Sequence, residues 1–158
     1  MFRLLIIFAL SACGPSGRES DAKAYAGAMQ AMFAENKAIG REFLDVAGML
    51  KKSEVNALDV AKRFDDRVVP RAQKLATEVK EVAPGKSGLD QVHGGIVRAW
   101  TIRADSYAAM SEAVQKDDLA AYTRAMHDNR AVRKAEDRYI EAVNKLLLPY
   151  QVQLDPYP

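Results

Sequence analysis

Apolar residues recur along the chain at alternating steps of three and four, which is the spacing of one buried face of an α-helix. The first such stretch is sustained for more than three heptads, and only Asn36 interrupts its apolar character. Ser20 and Asp21 precede it and form a predicted N-cap pair. The predicted buried face of this first helix is Tyr25, Met29, Met32, Asn36, Ile39, Phe43, Val46 and Leu50.

A second stretch begins after Ser53, a predicted N-cap, and ends at Ala83-Pro84-Gly85. Pro70 lies in its middle, lacks an N–H and clashes with the carbonyl four residues earlier. We therefore expect a kink with a freed carbonyl at Asp66 or, alternatively, two shorter helices broken near Val69. The predicted face is Leu58, Ala61, Phe64, Val68, Ala72, Leu75, Val79 and Val82.

Two further stretches complete the helical pattern. The third has Ser87 as its predicted cap and contains Gly94-Gly95, for which the usual compensation is the close approach of a neighbouring helix. The fourth begins at Asp117 or Asp118 and ends at Pro149. The predicted faces are Leu89, Val92, Ile96, Trp100, Arg103, Tyr107, Met110 and Val114 in the third helix, and Leu119, Tyr122, Met126, Asn129, Val132, Glu136, Tyr139, Ile140, Val143 and Leu147 in the fourth.

These patterns predict an all-α protein. Long helices joined by short loops fold as antiparallel neighbours, so residues 20–148 should form an up-down-up-down four-helix bundle with a kinked second helix. No alternating, strand-like run is present in the sequence. Residues 149–158 contain further prolines and should form an extended tail laid back over the bundle.

The residues before the first helix follow a different pattern. One basic residue, Arg3, precedes an unbroken apolar run from Leu4 to Leu10, and small residues follow before Cys13. This order is typical of a secretory signal, and the run is far shorter than the roughly 20 residues that a membrane-spanning helix needs. The segment Leu10-Ser11-Ala12-Cys13 resembles the lipobox of bacterial lipoproteins. The alternative is an ordinary cleaved signal followed by a coincidental cysteine.

The resemblance implies that residues 1–12 are removed and that Cys13 becomes a lipidated N-terminus, with residues 13–19 as a short linker. Several buried acyl chains make such anchoring effectively permanent. Gly14 stands where an Asp would favour retention at the inner membrane. The resemblance therefore implies a lipid-anchored protein of the bacterial cell envelope, at the outer membrane and facing the periplasm.

Composition narrows the possible partners. The chain has 23 basic and 21 acidic side chains, and this balance gives no basic excess that would indicate nucleic acid as a partner. Cys13 is the single cysteine, so its lipidation would leave no thiol for a disulfide or a cysteine-based metal site. No second apolar run of membrane length follows it.

The search for catalytic or cofactor motifs gives few candidates. Cys-x-x-Cys-His, the haem attachment motif of c′-type bundles, does not occur, and Met29 with His127 is a poor pair for a b-type haem because His127 should face water. The nearest match to the Glu-x-x-His motif of di-iron bundles, Asp90 to His93, lies alone at a helix end and predicts a surface histidine. We therefore expect no cofactor, no metal and no enzymatic activity.

One group of polar residues lies on the predicted buried faces of the helices, which form the seams between them. Counting back from each turn places four seam positions at nearly the same height in the bundle, and three of them are polar. Glu136 is a further polar seam residue about two turns along. The positions at the common height are Asn36, Val68, Arg103 and Asn129.

The buried polar groups need partners, since a buried charge is costly unless it is paired. In one interpretation the layer sets the helix register, with Arg103 paired to an acid such as Asp66 or Asp105. In the other, Arg103 clamps a small anionic ligand. Counted from the neighbouring turn, Pro70 faces the level of Trp100, and the freed carbonyl of Asp66 is then a candidate acceptor for the indole N–H.

Two functions follow as hypotheses. The first is a non-enzymatic, membrane-tethered lipoprotein that acts as an interaction or structural module, with an envelope protein as a possible partner. The second is a periplasmic bundle that binds a small anionic molecule or, less favoured, haem. A sealed mid-bundle with Arg103 paired favours the first hypothesis, whereas an open cavity with Arg103 free favours the second.

Overall fold

A computed structural model describes residues 17–50, 55–85 and 88–156. These residues form four long helical segments and no strand, so the predicted all-α four-helix bundle is confirmed. The second segment is one helical run made of α2, a π-helical turn and α3. The elements are α1 (Gly17–Met49), α2 (Ala57–Arg63), the π-helical turn (Phe64–Val68), α3 (Val69–Glu81), α4 (Asp90–Gln115), α5 (Leu119–Leu147) and a 3₁₀ turn (Leu148–Tyr150).

The first helix begins earlier than predicted. It starts at Gly17, so Ser20 and Asp21 lie inside its first turns instead of capping it, and the end of the predicted linker is helical. Sequence composition favoured a linker because Gly14 to Arg18 includes a proline and two glycines. The bundle therefore starts within a few residues of Cys13, which lies outside the described residues.

At two of the described helix starts a side-chain oxygen accepts a hydrogen bond from a free backbone N–H. Asn56 caps α2 and accepts a 2.9 Å hydrogen bond from the N–H of Leu58, so this helix begins later than the predicted cap at Ser53 implied. The helix α4 begins at Asp90 after Leu89 and has no side-chain cap, so the predicted cap at Ser87 is also wrong. Ser53 and Ser87 themselves lie outside the described residues. At the start of α5, Asp118 accepts from the N–H of Ala121 at 2.8 Å, as one of the two predicted starts requires.

The interruption before Pro70 is a π-helical turn. The N–H of Val69 bonds to the carbonyl of Phe64, five residues earlier, and α3 then starts with Pro70 in its first turn, where a missing N–H costs little. The second helix is thus interrupted where the sequence predicted. The interruption is a π-helical turn just before the proline. Such turns are a known cause of helix kinks.

Most of the predicted faces are buried, with instructive exceptions. Leu50, Leu58 and Leu119 were predicted to be buried, yet they are 38%, 60% and 77% exposed. Phe33 was not predicted, yet it is buried and packs edge-on against Trp100 and stacked against Tyr139. The fully buried large side chains are Trp100, Tyr25, Phe64, Met29, Ile39, Leu89, Ile96, Met110, Leu147, Leu154, Val60 and Val68.

The glycine pair in α4 does not mark a close helix contact, so that prediction is wrong. A Cβ added at Gly95 would meet nothing within 4 Å, and one at Gly94 would meet only Arg98 of the same helix, at 3.6 Å. The structure offers no packing reason for the two glycines.

One seam of the bundle is not closed by the helix backbones. Among the described residues, α1 packs against α3, α3 against α4 and α4 against α5, but α1 and α5 make almost no close backbone approach. Side chains and the C-terminal tail bridge that fourth seam over part of its length. The α1–α5 seam is therefore the place where the bundle remains accessible.

The tail after Tyr150 is non-helical and returns to the bundle. Leu154 is buried, and the side-chain amide of Asn144 bonds to both its N–H and its carbonyl, at 2.8 and 3.0 Å. The amide of Gln30 pairs in the same two-way manner with the backbone of Asp155. The tail is thereby fixed across the α1–α5 seam by one residue from each helix.

Candidate functional site

The guanidinium of Arg103 reaches from α4 into the middle of the α1–α5 seam. It donates to the amide oxygens of Asn36, at 2.8 Å, and of Asn129, at 3.3 Å. Its two terminal nitrogens also donate to the two carboxylate oxygens of Glu136, one of them at 3.0 Å. The structure thus brings the three predicted polar residues together, with Glu136 as a fourth member. We call these residues the Arg103 cluster.

The acidic partner of Arg103 differs from the two predicted ones. Neither Asp66 nor Asp105 pairs with it, because Glu136 forms the bidentate ion pair. Glu136 lies two helical turns beyond Asn129 along the backbone of α5, so it was not predicted to reach Arg103. The long side chains of Arg103 and Glu136 close that gap within the seam.

The indole of Trp100 also uses this carboxylate. Its N–H donates to Glu136 at 2.7 Å. The prediction that the carbonyl of Asp66 accepts this hydrogen bond is therefore wrong. The amide of Asn36 donates to the same carboxylate oxygen at 2.9 Å. Glu136 therefore collects donors from α1 and α4, which fixes the register of three helices at this level.

The buried polar atoms of the Arg103 cluster all have hydrogen-bond partners. The side chains of Arg103 and Glu136 are only 14% and 12% exposed. No buried side-chain nitrogen or oxygen among the described residues lacks a hydrogen-bond partner. Such a bidentate, desolvated pair is costly to break but adds little over a well-packed apolar pair, so its main effect is on geometry.

A second group of hydrogen-bonded side chains lies nearer the start of α1. It includes His93, which was predicted to lie on the surface. This side chain is 8% exposed and sits inside the bundle instead of on its surface. Its Nε2 lies 3.0 Å from the carbonyl of Val79, and its Nδ1 lies 2.9 Å from the hydroxyl of Tyr25, which is 2.7 Å from that of Tyr139. His93 was predicted to lie on the surface although it falls four residues after Leu89, on the seam spacing.

The carbonyl of Val79 determines which atom donates in each of these hydrogen bonds. A carbonyl can only accept, so Nε2 carries the proton, and Nδ1 of the neutral ring accepts from Tyr25, whose oxygen accepts from Tyr139. Burial lowers the pKa of His93 and raises the pKa of Tyr25 to about 12. Burial also raises the pKa of Tyr139. All three groups are therefore neutral and engaged near pH 7.

The far half of the α1–α5 seam contains an open groove of about 890 Å³. Its walls are the end of α1 and the start of α5, and its lining is mostly apolar or small. Two leucines at its rim, Leu44 and Leu119, are 67% and 77% exposed. We call this cavity the distal groove; its lining is Gly40, Phe43, Leu44, Ala47, Gly48, Leu50, Ala57, Arg103, Ala113, Val114, Asp117, Asp118, Leu119, Tyr122, Met126, Asn129, Arg130 and Arg133.

Charge is unevenly distributed along the distal groove. Arg130 and Arg133 lie at its mid-bundle end, next to the Arg103 cluster, and neither forms an ion pair with a described residue. Asp117 and Asp118 lie at the opposite end, at the turn into α5. A smaller cavity of about 230 Å³ continues past the cluster as far as Pro156 of the tail.

Sequence reasoning missed the two groove arginines although a signal was present. Continuing the seam of α5 by four residues from Asn129 leads to Arg133, whereas the predicted face turned to Val132. Both positions are compatible with helical spacing, and an apolar residue was preferred. The structure places Val132 in the core and Arg133 in the groove.

The residues considered for haem do not face one another. Met29 is fully buried in the core, whereas the side chain of His127 is 84% exposed on the outer face of α5, as predicted. Within the described residues no group of three potential metal ligands occurs. Met29 and His127 therefore cannot act together as axial ligands in this arrangement.

Comparison with known proteins finds no matching family model, no similar curated protein and no similar solved structure. Cys13, the predicted lipidation site, lies outside the described residues. Within the described part of the chain, none of the helices combines the length and the apolar character needed to cross a membrane. Function must therefore be inferred from the geometry of this chain.

Proposed function

We propose that this protein is a non-enzymatic binding module of the bacterial cell envelope, anchored through Cys13 to the outer membrane and facing the periplasm. The distal groove is its interaction surface. The observation that carries the proposal is an open, apolar groove with exposed leucines at the far end of the bundle. Exposed apolar surface of this kind usually marks a binding site.

The position of the groove relative to the anchor supports this role. Cys13 precedes the start of α1 by four residues, which span at most about 14 Å when extended. Gly40, the first groove residue on α1, lies about 35 Å along the helix from Gly17, at 1.5 Å per residue. A lipid on Cys13 would therefore hold one end of the bundle at the membrane, with the groove at the other end of α1.

The state of the polar groups supports a binding role over a catalytic one. Arg103 is engaged by three partners, and both ring nitrogens of His93 are occupied. A general acid or base needs a free proton-transfer position within reach of a substrate. These two candidates offer none, since their hydrogen bonds are made within the fold.

A second candidate function is the binding of a small anionic molecule, and the cavity beside the Arg103 cluster favours it. The original form of this hypothesis used Arg103 as the clamp. The pairing of Arg103 with Glu136 argues against that role. The cations available to an anion in the groove are Arg130 and Arg133.

Anchoring is tested by Cys13→Ser. We expect the variant to lose its lipid mass and to leave the membrane fraction, because the serine cannot form the thioether. Mass spectrometry and fractionation of cell envelopes measure both changes. Unchanged mass and unchanged fractionation would contradict the anchoring proposal.

The interaction surface is tested by photo-crosslinking in intact cells. A photoreactive amino acid at Leu44 or Leu119 should capture an occupant, whereas one at Ile102 should not, because Ile102 is exposed and apolar but does not line the groove. The mass of the adduct separates a protein partner from a small molecule. Equal capture at all three positions would show that exposure alone, and not the groove, determines the contacts.

A further inference from the structure

We infer that the distal groove binds a single-chain anionic amphiphile, a long-chain carboxylate. The carboxylate would lie at Arg130 and Arg133, and the hydrocarbon would run towards Leu50 and Leu119. This inference rests on the proposed role of the groove as the interaction surface. It goes further by assigning the chemistry and the orientation of the occupant.

The shape of the groove suits one extended chain. Its lining on α1 runs from Gly40 to Leu50, about 15 Å, and on α5 from Leu119 to Arg133, about 20 Å, at 1.5 Å per residue. The volume of about 890 Å³ falls within the range of roughly 300–1,000 Å³ that ligand sites occupy. The long direction is parallel to the helices.

The small number of hydrogen-bonding side chains in the lining favours a hydrocarbon ligand over a peptide ligand. Where the same seam holds a peptide, in the tail, Gln30 and Asn144 each bond to a backbone N–H and a backbone carbonyl. The distal groove has only one amide side chain, Asn129, which already accepts from Arg103. Between the charged residues at its two ends the lining offers a peptide backbone few hydrogen-bond partners, whereas an acyl chain needs none.

The distribution of charge sets the orientation. Arg130 and Arg133 are three residues apart on α5, and their exposed guanidinium groups match a carboxylate, which arginine binds through paired N–H donors. Asp117 and Asp118 at the other end would repel the same head group. The methyl end of the chain should therefore lie towards the turn between α4 and α5.

The glycines of α1 provide a way to fill the groove without disturbing the fold. Gly40 and Gly48 line it, and a Cβ at either position would meet nothing within 4 Å. Leucine is also a better helix former than glycine. Gly27, on the same helix, has equally free space but does not line the groove, so it provides the matched control.

The test measures binding of dodecanoate by isothermal titration calorimetry. The mature chain carrying Cys13→Ser is used because it needs no detergent, and detergents would compete for an amphiphile site. We expect saturable one-to-one binding that Gly40→Leu combined with Gly48→Leu weakens at least tenfold and that Gly27→Leu leaves unchanged. Dodecyltrimethylammonium, with a cationic head, should bind at least tenfold more weakly than dodecanoate.

The head-group site is tested separately. Arg130→Gln combined with Arg133→Gln should weaken dodecanoate binding about tenfold, since it removes the charge-assisted bonds. The matched pair Arg124→Gln and Arg138→Gln changes the net charge of α5 equally at exposed positions outside the groove, and it should have no effect. Equal weakening by both pairs would overturn the assignment of the head group.

Other occupants would appear as distinct results. Absence of dodecanoate binding, or equal binding by the groove-filled variant, would overturn the inference. So would a dimer in light scattering that only Gly40→Leu with Gly48→Leu dissociates, because the groove would then bind a second copy. The Cys13→Ser chain is lipid-free, so these outcomes are independent of the anchoring experiment, and failure of one proposal can be distinguished from failure of the other.

Discussion

The two halves of the α1–α5 seam are built from the same two helices but differ in chemistry. In the half nearer the start of α1, Tyr25 bonds to Tyr139 and Asn36 bonds to Glu136 across the seam, and the tail covers the surface. In the far half, apolar side chains and two arginines that form no ion pair with a described residue surround an open groove. The comparison shows that polar residues in this seam close it, whereas its accessible part is mainly apolar.

The difference has a physical reason. Buried polar groups must find partners, so each one in the closed half fixes the distance between the helices. Apolar residues set no such distance, and small ones such as Gly40 and Gly48 leave space in the groove. The closed half therefore contributes structure, and the open half is available for binding.

The largest effect is expected from breaking the Arg103 cluster. Arg103→Met alone should lower the free energy of unfolding by about 3–5 kcal/mol, because it leaves Glu136 buried without its cation. Arg103→Met combined with Glu136→Gln should recover most of this loss, since glutamine keeps an acceptor for Trp100 and Asn36. Urea unfolding followed by circular dichroism measures both values. Equal losses in the single and the double variant would show that the ion pair itself stabilises the fold.

A somewhat smaller loss is expected at the tail. Leu154→Ala should cost about 2–5 kcal/mol, the usual range for truncating a buried leucine. Leu148→Ala, at an exposed position near the same end, should stay within about 0.5 kcal/mol. Thermal unfolding of the two variants checks the contrast. Similar melting temperatures would mean that the tail does not help to close the seam.

The closed half should also make stability depend on pH. Because burial lowers the pKa of His93, the unfolded chain binds a proton more readily than the folded one. Stability should therefore fall as the pH drops below about 6.5, the ordinary histidine value, towards the folded pKa. Asp90 lies nearby and opposes the shift, while Tyr25 stays neutral over this range.

The measurement for this prediction is the free energy of unfolding between pH 8 and pH 5, by urea titration. His93→Gln, which cannot take up a proton, should lose less stability over this interval than the unsubstituted chain. The carboxylates are common to both proteins and cancel in the difference. Parallel curves for the two proteins would contradict the role of His93.

The smallest effect is expected in the open half. Leu44→Ser and Leu119→Ser should each change the free energy of unfolding by no more than about 0.5 kcal/mol, because both side chains are exposed. The same urea titrations apply. A loss comparable to that of Leu154→Ala would show that these leucines are covered in the folded protein, and the contrast between the halves would disappear.

Several particular residues show where sequence reasoning reaches its limit. The spacing of three and four identified the helices, Pro70 predicted the interruption of the second one, and the acidic residues predicted the start of α5 at Asp117 or Asp118, because these features depend on local geometry. It misjudged His93, Phe33 and Arg133, since two adjacent residues can both satisfy helical spacing and only packing selects one. The partner of Arg103 was missed for another reason: backbone height does not include the reach of long side chains.

The sequence by itself determined the fold class, because periodic apolar residues must be buried against other helices, and it placed Asn36, Arg103 and Asn129 at one level. Only the tertiary structure decided that Glu136 completes this cluster, that the tail covers half of one seam and that the other half stays open. These features depend on the separation between α1 and α5. That separation is set by contacts among residues far apart in the chain, and no local pattern encodes it.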